Sequence, residues 1–473
     1  MMGRTLALAV LGLSIQAGAA WAQLDPLAPW PTANRDLAHT SQAPFVGPEK
    51  TRVLWTFDAA GTVWGPVVGR DGTIYAPSDD TNLYALHRDG TLKWSFPLGG
   101  APCQHAAIGA DGAIYATGLS LYALTPEGKE KWRFEAPNLG KYQSPTVGPD
   151  GTIYQGALSG YLYAVDPATG KQKWNHKFDA RIQAPISFTL KGEPVIGLRH
   201  GNVPNVMKLD ATGTPVWTFT GPDEMRSATV GPDGTLYVAC KVGRVYALDP
   251  DTGALKWSSE VRSPSTAILE FPALAAGGTV LQGSGNGELA AYSPTGDVLW
   301  TFQPDSYHLD PETGQGMPLH MGTPVVDATG ALYVPSPEAD FWQLDRNGHY
   351  VSSIPLPALF TRMAMGADGT LYCGSLGGKL YAFGDGLVVG DANGDGRLTV
   401  ADVVVALRKV VGIVPTTSQD LRSLDVNTST GGGRPYGNGR LDVADAISML
   451  YQCVAPRADW PYPRAAVAQP SGN

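Results

Sequence analysis

Charged residues are few in this sequence, and its Lys and Arg residues do not form a basic cluster. Only 16% of its 473 residues are charged, and 34 Lys and Arg stand against 43 Asp and Glu, a formal net charge of −9. This balance argues against nucleic-acid binding, which needs a positively charged footprint. The sparse Lys and Glu, beside 58 Gly and 38 Pro, favour turns and strands over helices. We therefore predict an all-β protein.

Cysteines are also few, and their spacing excludes the usual cysteine-based sites. Cys103, Cys240, Cys373 and Cys453 are scattered, with no C-x-x-C or vicinal pair. An exported chain permits disulfides, but these spacings indicate neither a disulfide framework nor a zinc site. We expect the first three to be buried as small hydrophobic residues on strands.

Long hydrophobic runs are missing except at the amino terminus. Residues 1–22 combine Arg4, a short apolar run and the small-residue ending Ala20-Trp21-Ala22. This pattern is typical of a cleaved secretory signal peptide, and its apolar part falls short of the roughly 20 residues of a membrane span. A membrane anchor is the alternative. We expect a secreted protein without a membrane span, extracellular or on the cell surface, with the periplasm as the alternative compartment.

A period of about forty residues fills the middle of the chain. Two phrases recur in it, an Asp-Gly phrase such as GPDGTIYQG at 148–156 and a Leu-Tyr-Ala phrase such as LYAV at 162–165. Such a period indicates repeated units that stack on one another. Seven tryptophans mark it at intervals of 39, 38, 42, 43, 40 and 43 residues: Trp55, Trp94, Trp132, Trp174, Trp217, Trp257 and Trp300.

Each repeat is predicted to form four short strands. The Asp-Gly pair is expected to make a two-residue type I′ turn between the first two strands, and the tryptophan lies on the fourth. Because one such sheet cannot bury both faces, the repeats should be arranged radially as a β-propeller. After an N-terminal segment at 23–50, the propeller is predicted over 51–384, with VLWTF at 53–57 closing the ring as the outer strand of the last blade. Eight first strands are expected, near residues 63, 102, 142, 182, 225, 269, 321 and 361.

Two passages carry a specific resemblance to a known repeat. AVDPATGKQKW at 164–174 and ALDPDTGALKW at 247–257 resemble the A-x-D-x-x-T-G-K-x-x-W repeat of quinoprotein (PQQ-type) propellers, with Ala254 where the family has Lys. The resemblance covers roughly residues 50–384. It includes PQQ-dependent dehydrogenases, which are enzymes, and propellers similar to the outer-membrane assembly lipoprotein, which bind partner proteins without catalysis.

The two classes can be distinguished by the residues that catalysis requires. For a dehydrogenase, the resemblance implies a vicinal Cys-Cys disulfide, an Asp base and a Ca²⁺ held by Glu and Asn. This sequence has no vicinal cysteines and no evident Asp base. We therefore favour a non-catalytic binding protein and name no catalytic residue. A PQQ-dependent dehydrogenase with bound PQQ is the alternative.

Polar residues recur near the start of the first strands. Since first strands line a propeller's axis, they are predicted to ring the channel mouth and bind a protein or carbohydrate ligand; a solvated funnel is the alternative. A glycosidase or lyase, or an accessory factor in polysaccharide degradation, is less favoured, because glycoside hydrolysis needs two facing carboxylates. The connection at 303–321 is also unusually long, which is often functional, and carries Tyr307, His308, Asp310, Glu312 and His320. The predicted ligand-binding residues are Gln104, Gln143, Gln183, Arg226, Glu270 and Thr361.

A calcium-loop pattern begins beyond residue 384. DANGDGRLTVAD at 391–402 places oxygen ligands and a Gly at the spacing that Ca²⁺ needs, and an interrupted copy at 425–445 is expected to bind more weakly. The first loop's ligands would be Asp391, Asn393, Asp395, the carbonyl of Arg397, Thr399 and Asp402. Those of the second would be Asp425, Asn427, Asn438, the carbonyl of Arg440, Asp442 and Asp445.

Two such loop-helix halves resemble a type I dockerin over residues 388–455. The resemblance implies a cohesin-like partner, although the Ser/Thr pair common in that family is absent here. A calcium-stabilised structural appendage is the alternative, and 456–473 is expected to be a disordered tail. We expect a monomer. The residues implied in partner binding are Val400, Ala401, Leu407, Arg408, Val443, Ala444, Leu450 and Tyr451.

Overall fold

The computed structural model describes the parts of the chain that form a β-propeller and one further helix. They are residues 24–136, 139, 143–182, 185–199, 205–241, 243–260, 271–304, 308–309, 316–317, 320–336, 340–355, 360–385, 400–411, 443, 446, 447 and 450. The predicted signal peptide lies outside these residues. No helix within them is long and apolar enough to cross a bilayer.

Eight sheets, each four strands deep, form the propeller, as the sequence predicts. The first strand in sequence is β1 (Arg52–Asp58), which belongs to the last blade. Blades one to four then contain β2 (Val67–Val68), β3 (Ile74–Pro77), β4 (Asn82–Leu86), β5 (Leu92–Pro97), β6 (Ala107–Ile108), β7 (Ile114–Thr117), β8 (Leu121–Leu124), β9 (Glu130–Phe134), β10 (Thr146–Val147), β11 (Ile153–Gly156), β12 (Tyr161–Val165), β13 (Gln172–Lys177), β14 (Arg181–Ile182), β15 (Ser187–Phe188), β16 (Pro194–Arg199), β17 (Val206–Leu209) and β18 (Pro215–Phe219).

The second half of the ring repeats this order, with a small hairpin inserted before blade seven. Both β14 and β15 pair with β16, so blade four has its inner strand in two pieces. Blades five to eight and the following helix contain β19 (Thr229–Val230), β20 (Leu236–Cys240), β21 (Arg244–Leu248), β22 (Leu255–Ser258), β23 (Ala273–Ala275), a one-turn 3-10 helix (Ala276–Gly278), β24 (Thr279–Gly283), β25 (Leu289–Tyr292), β26 (Val298–Phe302), the hairpin β27 (His308–Leu309) and β28 (Gly316–Met317), β29 (Val325–Val326), β30 (Leu332–Pro335), β31 (Asp340–Leu344), β32 (Tyr350–Pro355), β33 (Phe360–Met365), β34 (Leu371–Ser375), β35 (Lys379–Gly384) and α1 (Val400–Val410).

The ring is closed by the first strand of the chain. In the last blade the strand order is β1-β35-β34-β33, so β1 is the outer strand. It runs antiparallel to β35, with Trp55 opposite Ala382. The predicted closure by residues 53–57 is confirmed, and it leaves no blade with three strands.

The Asp-Gly turns differ in detail from the expected type I′ form. In blade three, Val147 pairs with Ile153, and the N–H of Gly148 donates to the carbonyl of Thr152 at 2.8 Å. Three residues therefore form the loop, and Gly151, at φ +81°, is its one residue with positive φ. This is a type I turn followed by a left-handed glycine. The type I′ prediction is wrong because both turns favour the same Asp-Gly pair.

A tyrosine–alanine–tryptophan row forms the core of the typical blade. In blade three, Tyr154 lies opposite Ala164, which lies opposite Trp174 on the next strand. The two rings meet with their centroids 5.9 Å apart. Because Ala164 is fully buried and its methyl group is small, the aromatic side chains can contact one another above it. This explains why alanine recurs in the Leu-Tyr-Ala phrase.

The N-terminal residues run along the inner strands of the propeller. We call residues 24–47 the axial segment. Its carbonyls accept hydrogen bonds from the inner strands of six of the eight blades, for example Pro31 from Ile108 at 2.8 Å and Ala38 from Val230 at 2.8 Å. The remaining acceptors are Trp30 for Val68, Leu37 for Phe188, Thr40 for Leu274 and Ser41 for Val326.

The predicted state of the cysteines can be checked at three positions. Cys103, Cys240 and Cys373 are buried thiols, as expected. Cys240 lies in β20 and Cys373 in β34, whereas Cys103 precedes β6. Cys453 lies outside the described residues.

Candidate functional site on the propeller axis

The predicted channel-mouth ring can be followed at half of its positions. Gln104 and Arg226 are half-buried, and Gln143 is buried. Thr361 lies in β33, but its side chain is outside the described part, as are Gln183 and Glu270. The residues that precede ring positions are buried at Val63, Ile182, Met225 and Met321. The role of the ring in ligand binding stays a prediction.

One residue after the ring positions, residues from different blades contact one another at several of the places that the structure describes. The backbone N–H of His105 donates to Ser144 Oγ at 3.0 Å, and Thr323 Oγ1 donates to the carbonyl of Phe271 at 3.0 Å. The guanidinium carbon of Arg362 lies 4.7 Å above the Phe271 ring, two blades away. We call this set the axial layer; it consists of Gly65, His105, Ser144, Ser227, Phe271, Thr323 and Arg362.

The axial segment adds a histidine to this layer. The ring of His39 meets that of Phe271 edge to face, with centroids 5.7 Å apart. Thr229 Oγ1 in blade five donates to the carbonyl of Pro272 at 2.6 Å and also lies 3.4 Å from the His39 carbonyl. His39 is 0% exposed and adopts a left-handed backbone at φ +57°. A buried non-glycine residue in this conformation is held there by its surroundings.

Both histidines of the layer are neutral at pH 7. Burial, followed by the charge of Arg362, lowers the pKa of His39 to about 3. Burial likewise holds the pKa of His105 well below its usual value, with Arg362 and His39 contributing. The guanidinium is therefore the one formal charge among the described side chains of the axial layer.

The layer is tightly packed on the side of blade one. A Cβ atom at Gly65 would lie 2.2 Å from His105 Nε2 and 3.2 Å from Arg362 Cβ. Real Cβ contacts are never this short, so no larger residue fits unless the histidine moves. Glycine is needed here for space and not for an unusual backbone angle.

The long connection before blade seven forms β27 and β28, where His308 pairs with Met317. Tyr307, Asp310 and Glu312 lie outside the described residues, and His320 is half-buried. Among the residues that the structure describes, no group of three or more His, Cys, Asp or Glu side chains could hold a metal ion.

The predicted calcium ligands fall almost entirely outside the described chain. Asp402 lies in the first turn of α1, and its side chain is not described. Of the predicted partner-binding residues, Val400, Leu407, Arg408, Val443 and Leu450 are exposed, while Ala444 and Tyr451 are outside the described part and only the backbone of Ala401 is within it. Ligands outside the description are Asp391, Asn393, Asp395, Arg397, Thr399, Asp425, Asn427, Asn438, Arg440, Asp442 and Asp445.

Sequence reasoning predicted the polar ring but did not predict the axial layer, one residue further along, or the axial segment. The axial layer holds Gly, His, Ser, Phe, Thr and Arg in different blades, so no column of similar residues marks it. The one signal that could have pointed to it is position, because each residue of the layer directly follows a ring position in the sequence. The axial segment has no repeat partner, and nothing in its composition indicates contacts with six blades.

A family model described as "Outer membrane protein assembly factor BamB" matches residues 45–203 and 203–348, well over half of the chain. The chain is 24% identical over 333 residues to the outer membrane protein assembly factor BamB of Burkholderia pseudomallei, covering 65% of this chain and 83% of that protein. It is 34% identical over 235 residues to the serine/threonine-protein kinase AfsK of Streptomyces griseus, covering 39% of this chain.

Quinoproteins are also among the related sequences and structures. The chain is 25% identical over 258 residues to the quinohemoprotein alcohol dehydrogenase ADH-IIG of Pseudomonas putida, covering 45% of this chain. It spans only 29% of the kinase and 34% of this dehydrogenase. The crystal structure of quinohemoprotein alcohol dehydrogenase from Comamonas testosteroni aligns with a TM-score of 0.61 at 14% identity, over 97% of this chain and 94% of that one. BamB from Moraxella catarrhalis aligns with a TM-score of 0.51 at 19% identity, over 71% and 98%. At these identities the structural likeness shows the fold alone.

Proposed function

Because this chain belongs to the family of the outer membrane protein assembly factor BamB, we propose that it is an exported, non-catalytic binding propeller. Its propeller would bind a protein or carbohydrate ligand, and its C-terminal region would attach it to an extracellular partner. The observation that carries the proposal is the axial segment. It occupies the end of the inner strands where Ile108 and Val230 lie. Gln104 and Arg226 precede these strands on the other side, and a ligand would bind there.

The axial layer fits a quinone cofactor with Ca²⁺ poorly. Ca²⁺ requires six to eight oxygen ligands, mainly from carboxylates and carbonyls. The described side chains of this layer instead include the cationic Arg362 and two neutral imidazoles. The close approach of Gly65 to His105 also leaves little room for a flat tricyclic ring between them. PQQ-dependent oxidation therefore remains the second candidate, supported by the quinoprotein relatives.

Titration with PQQ and Ca²⁺ separates these two functions. Trp64 is half-buried, directly precedes Gly65 of the axial layer and donates its indole N–H to Asp79 at 2.8 Å, so its fluorescence should report a ligand at the predicted ring. We expect no saturable quenching. Saturable quenching at micromolar PQQ or below would overturn the non-catalytic proposal and call for dye-linked alcohol and sugar oxidation assays. An Arg226→Ala variant that loses the quenching would place the cofactor at the mouth.

For the C-terminal region we propose a calcium-dependent, dockerin-like module that binds a cohesin-like protein. The support is the ligand spacing in residues 391–402 together with the position of α1. This helix begins at Val400, so Asp402 falls in its first turn, where EF-hand loops place their last ligand. Helix α1 buries Val403 and Ala406 and exposes Val400 and Leu407, which leaves an apolar surface for a partner.

A further inference from the structure

Several polar atoms of the axial layer and of His39 are buried, and no hydrogen-bond partner for them is found within the described chain. They are Nδ1 and Nε2 of His39 and Oγ of Ser227. A buried donor or acceptor that has lost its hydrogen bonds to water and formed none within the protein is unfavourable. Native proteins rarely contain such a group without an ion or water beside it. A neutral imidazole always carries one N–H donor, so His39 has a proton to offer at this place.

Blade five brings Ser227 close to His39 along the chain. The N–H of Val230 donates to the carbonyl of Ala38, the residue before His39, and Thr229 Oγ1, two residues after Ser227, lies 3.4 Å from the His39 carbonyl. The Phe271 ring connects the other groups, because it makes an edge-to-face contact with His39 and Arg362 covers its face. His105 lies next to Gly65, whose Cβ position would also be 3.2 Å from Arg362 Cβ.

The charge and size of the site determine which ligand it suits. A metal cation would have to sit near the guanidinium of Arg362, with no described carboxylate in the layer to offset the repulsion. An anion would meet that guanidinium, an imidazole N–H and a hydroxyl, which are all donors. We propose that the axial layer encloses a small monovalent anion of the size of chloride, bound by His39 and Ser227 beside Arg362.

Such an anion would also hold the axial segment against blade five. Four residues of this segment have positive φ: Asn34, Arg35, His39 and Ser41, at 52°, 78°, 57° and 55°. Left-handed backbone at non-glycine residues is unfavourable and persists where other contacts enforce it. An ion bound by His39 on the segment and by Ser227 on blade five would be one such contact. Anion binding should therefore stabilise the folded protein.

The direct experiment is a crystal of the full chain grown with bromide as the only halide. Bromide scatters anomalously, so a peak in the anomalous difference map within contact distance of a His39 ring nitrogen is the expected result. A water molecule at this position, with no anomalous signal, would overturn the proposal. This test uses the unaltered protein and does not depend on any variant folding.

A solution experiment asks whether the ion is bound at ordinary concentration. The protein is transferred to gluconate buffer, and bromide is added at constant ionic strength while the melting temperature is followed. We expect a saturable rise of about 3 °C for the unaltered chain. His39→Gly, which accepts positive φ and lacks the ring, should not respond, whereas His87→Gly on the exposed surface of blade one should respond fully. An equal response in all three proteins would contradict a site at His39.

Discussion

The indole N–H of Trp132, in blade two, donates to the backbone carbonyl of Pro167, in blade three, at 2.8 Å. The same ring covers Gly170, where a Cβ atom would lie 2.7 Å from Trp132 Cδ2. Trp94 makes the equivalent bond to Pro126 at 2.9 Å. Each such tryptophan therefore joins two neighbouring blades through one hydrogen bond and one close contact with glycine, which explains the forty-residue period.

Gly170→Ala should destabilise the propeller through this contact. Gly277 offers a matched control, because its φ of +73° is close to the +69° of Gly170, yet a Cβ there would meet nothing within 4 Å. Gly277→Ala should cost only about 1–2 kcal/mol for the left-handed backbone. Gly170→Ala should cost at least about 1 kcal/mol more, because the tryptophan must move. Urea unfolding of both variants measures the difference, and equal losses would rule out the docking role.

Ala164→Leu should also destabilise the protein, by about 1–3 kcal/mol, because it inserts three carbons between Tyr154 and Trp174. Ala168→Leu, in the exposed turn of the same blade, serves as control and should change the free energy of unfolding by less than about 0.5 kcal/mol. Chemical denaturation followed by tryptophan fluorescence distinguishes them. A neutral Ala164→Leu would mean that the two rings do not depend on the space above this alanine.

Gly65→Ala tests the close packing of the axial layer. We expect a loss of about 1–3 kcal/mol, since the new methyl group would overlap His105. Adding His105→Ala should relieve the overlap, so the double variant should be more stable than the sum of the two single losses predicts. Additive losses in this double-mutant cycle would show that the two residues do not meet.

The histidines of the axis predict a loss of stability in acid. Because the pKa of folded His39 is about 3 and its ordinary value is 6.5, the unfolded chain binds a proton that the folded chain does not between these limits. Stability present above pH 6.5 should therefore fall as the pH drops toward 3, by up to about 1.4 kcal/mol per pH unit for each such group.

Melting curves of the unaltered chain and His39→Gly between pH 7.5 and 5.5 measure this effect above the range of most carboxyl groups. The variant should lose less stability across the interval, because one of the two buried histidines is gone. His87→Gly should behave like the unaltered chain. Identical pH profiles for all three would mean that His39 is not kept neutral by burial.

Asp391→Ala should abolish the calcium response of the first predicted C-terminal loop and leave the melting of the propeller unchanged. The carboxylate occupies the first ligand position, and Ca²⁺ binding falls steeply when a charged ligand is lost. Calorimetric titration with Ca²⁺ measures the change, with Asp420→Ala, between the two loops, as control. An undiminished calcium response in Asp391→Ala would refute the ligand assignment.

The blade count and ring closure could be predicted because repeats compare one part of the chain with another. Trp55 has no preceding blade, so its strand had to complete the last one, as its pairing with Ala382 confirms. The axial layer could not be predicted in this way, because His105, Phe271 and Arg362 each occur once at equivalent positions. Their meeting depends on side chains that cross the axis between non-neighbouring blades. The contacts of the axial segment could not be predicted for a related reason. They are made by backbone carbonyls, which every residue has, so no sequence pattern marks them.

Ring closure also affects the order in which the molecule can assemble. Asp58 in β1 pairs with Lys379 in β35, 321 residues later in the chain. During synthesis the first strand therefore has no partner until the last blade has been made. The axial segment precedes this strand and reaches six blades, so it too must wait unpaired or rearrange as blades appear. Forming contacts this distant in sequence is slow, so a nascent propeller of this kind should stay open, and accessible to chaperones, until its final blade is complete.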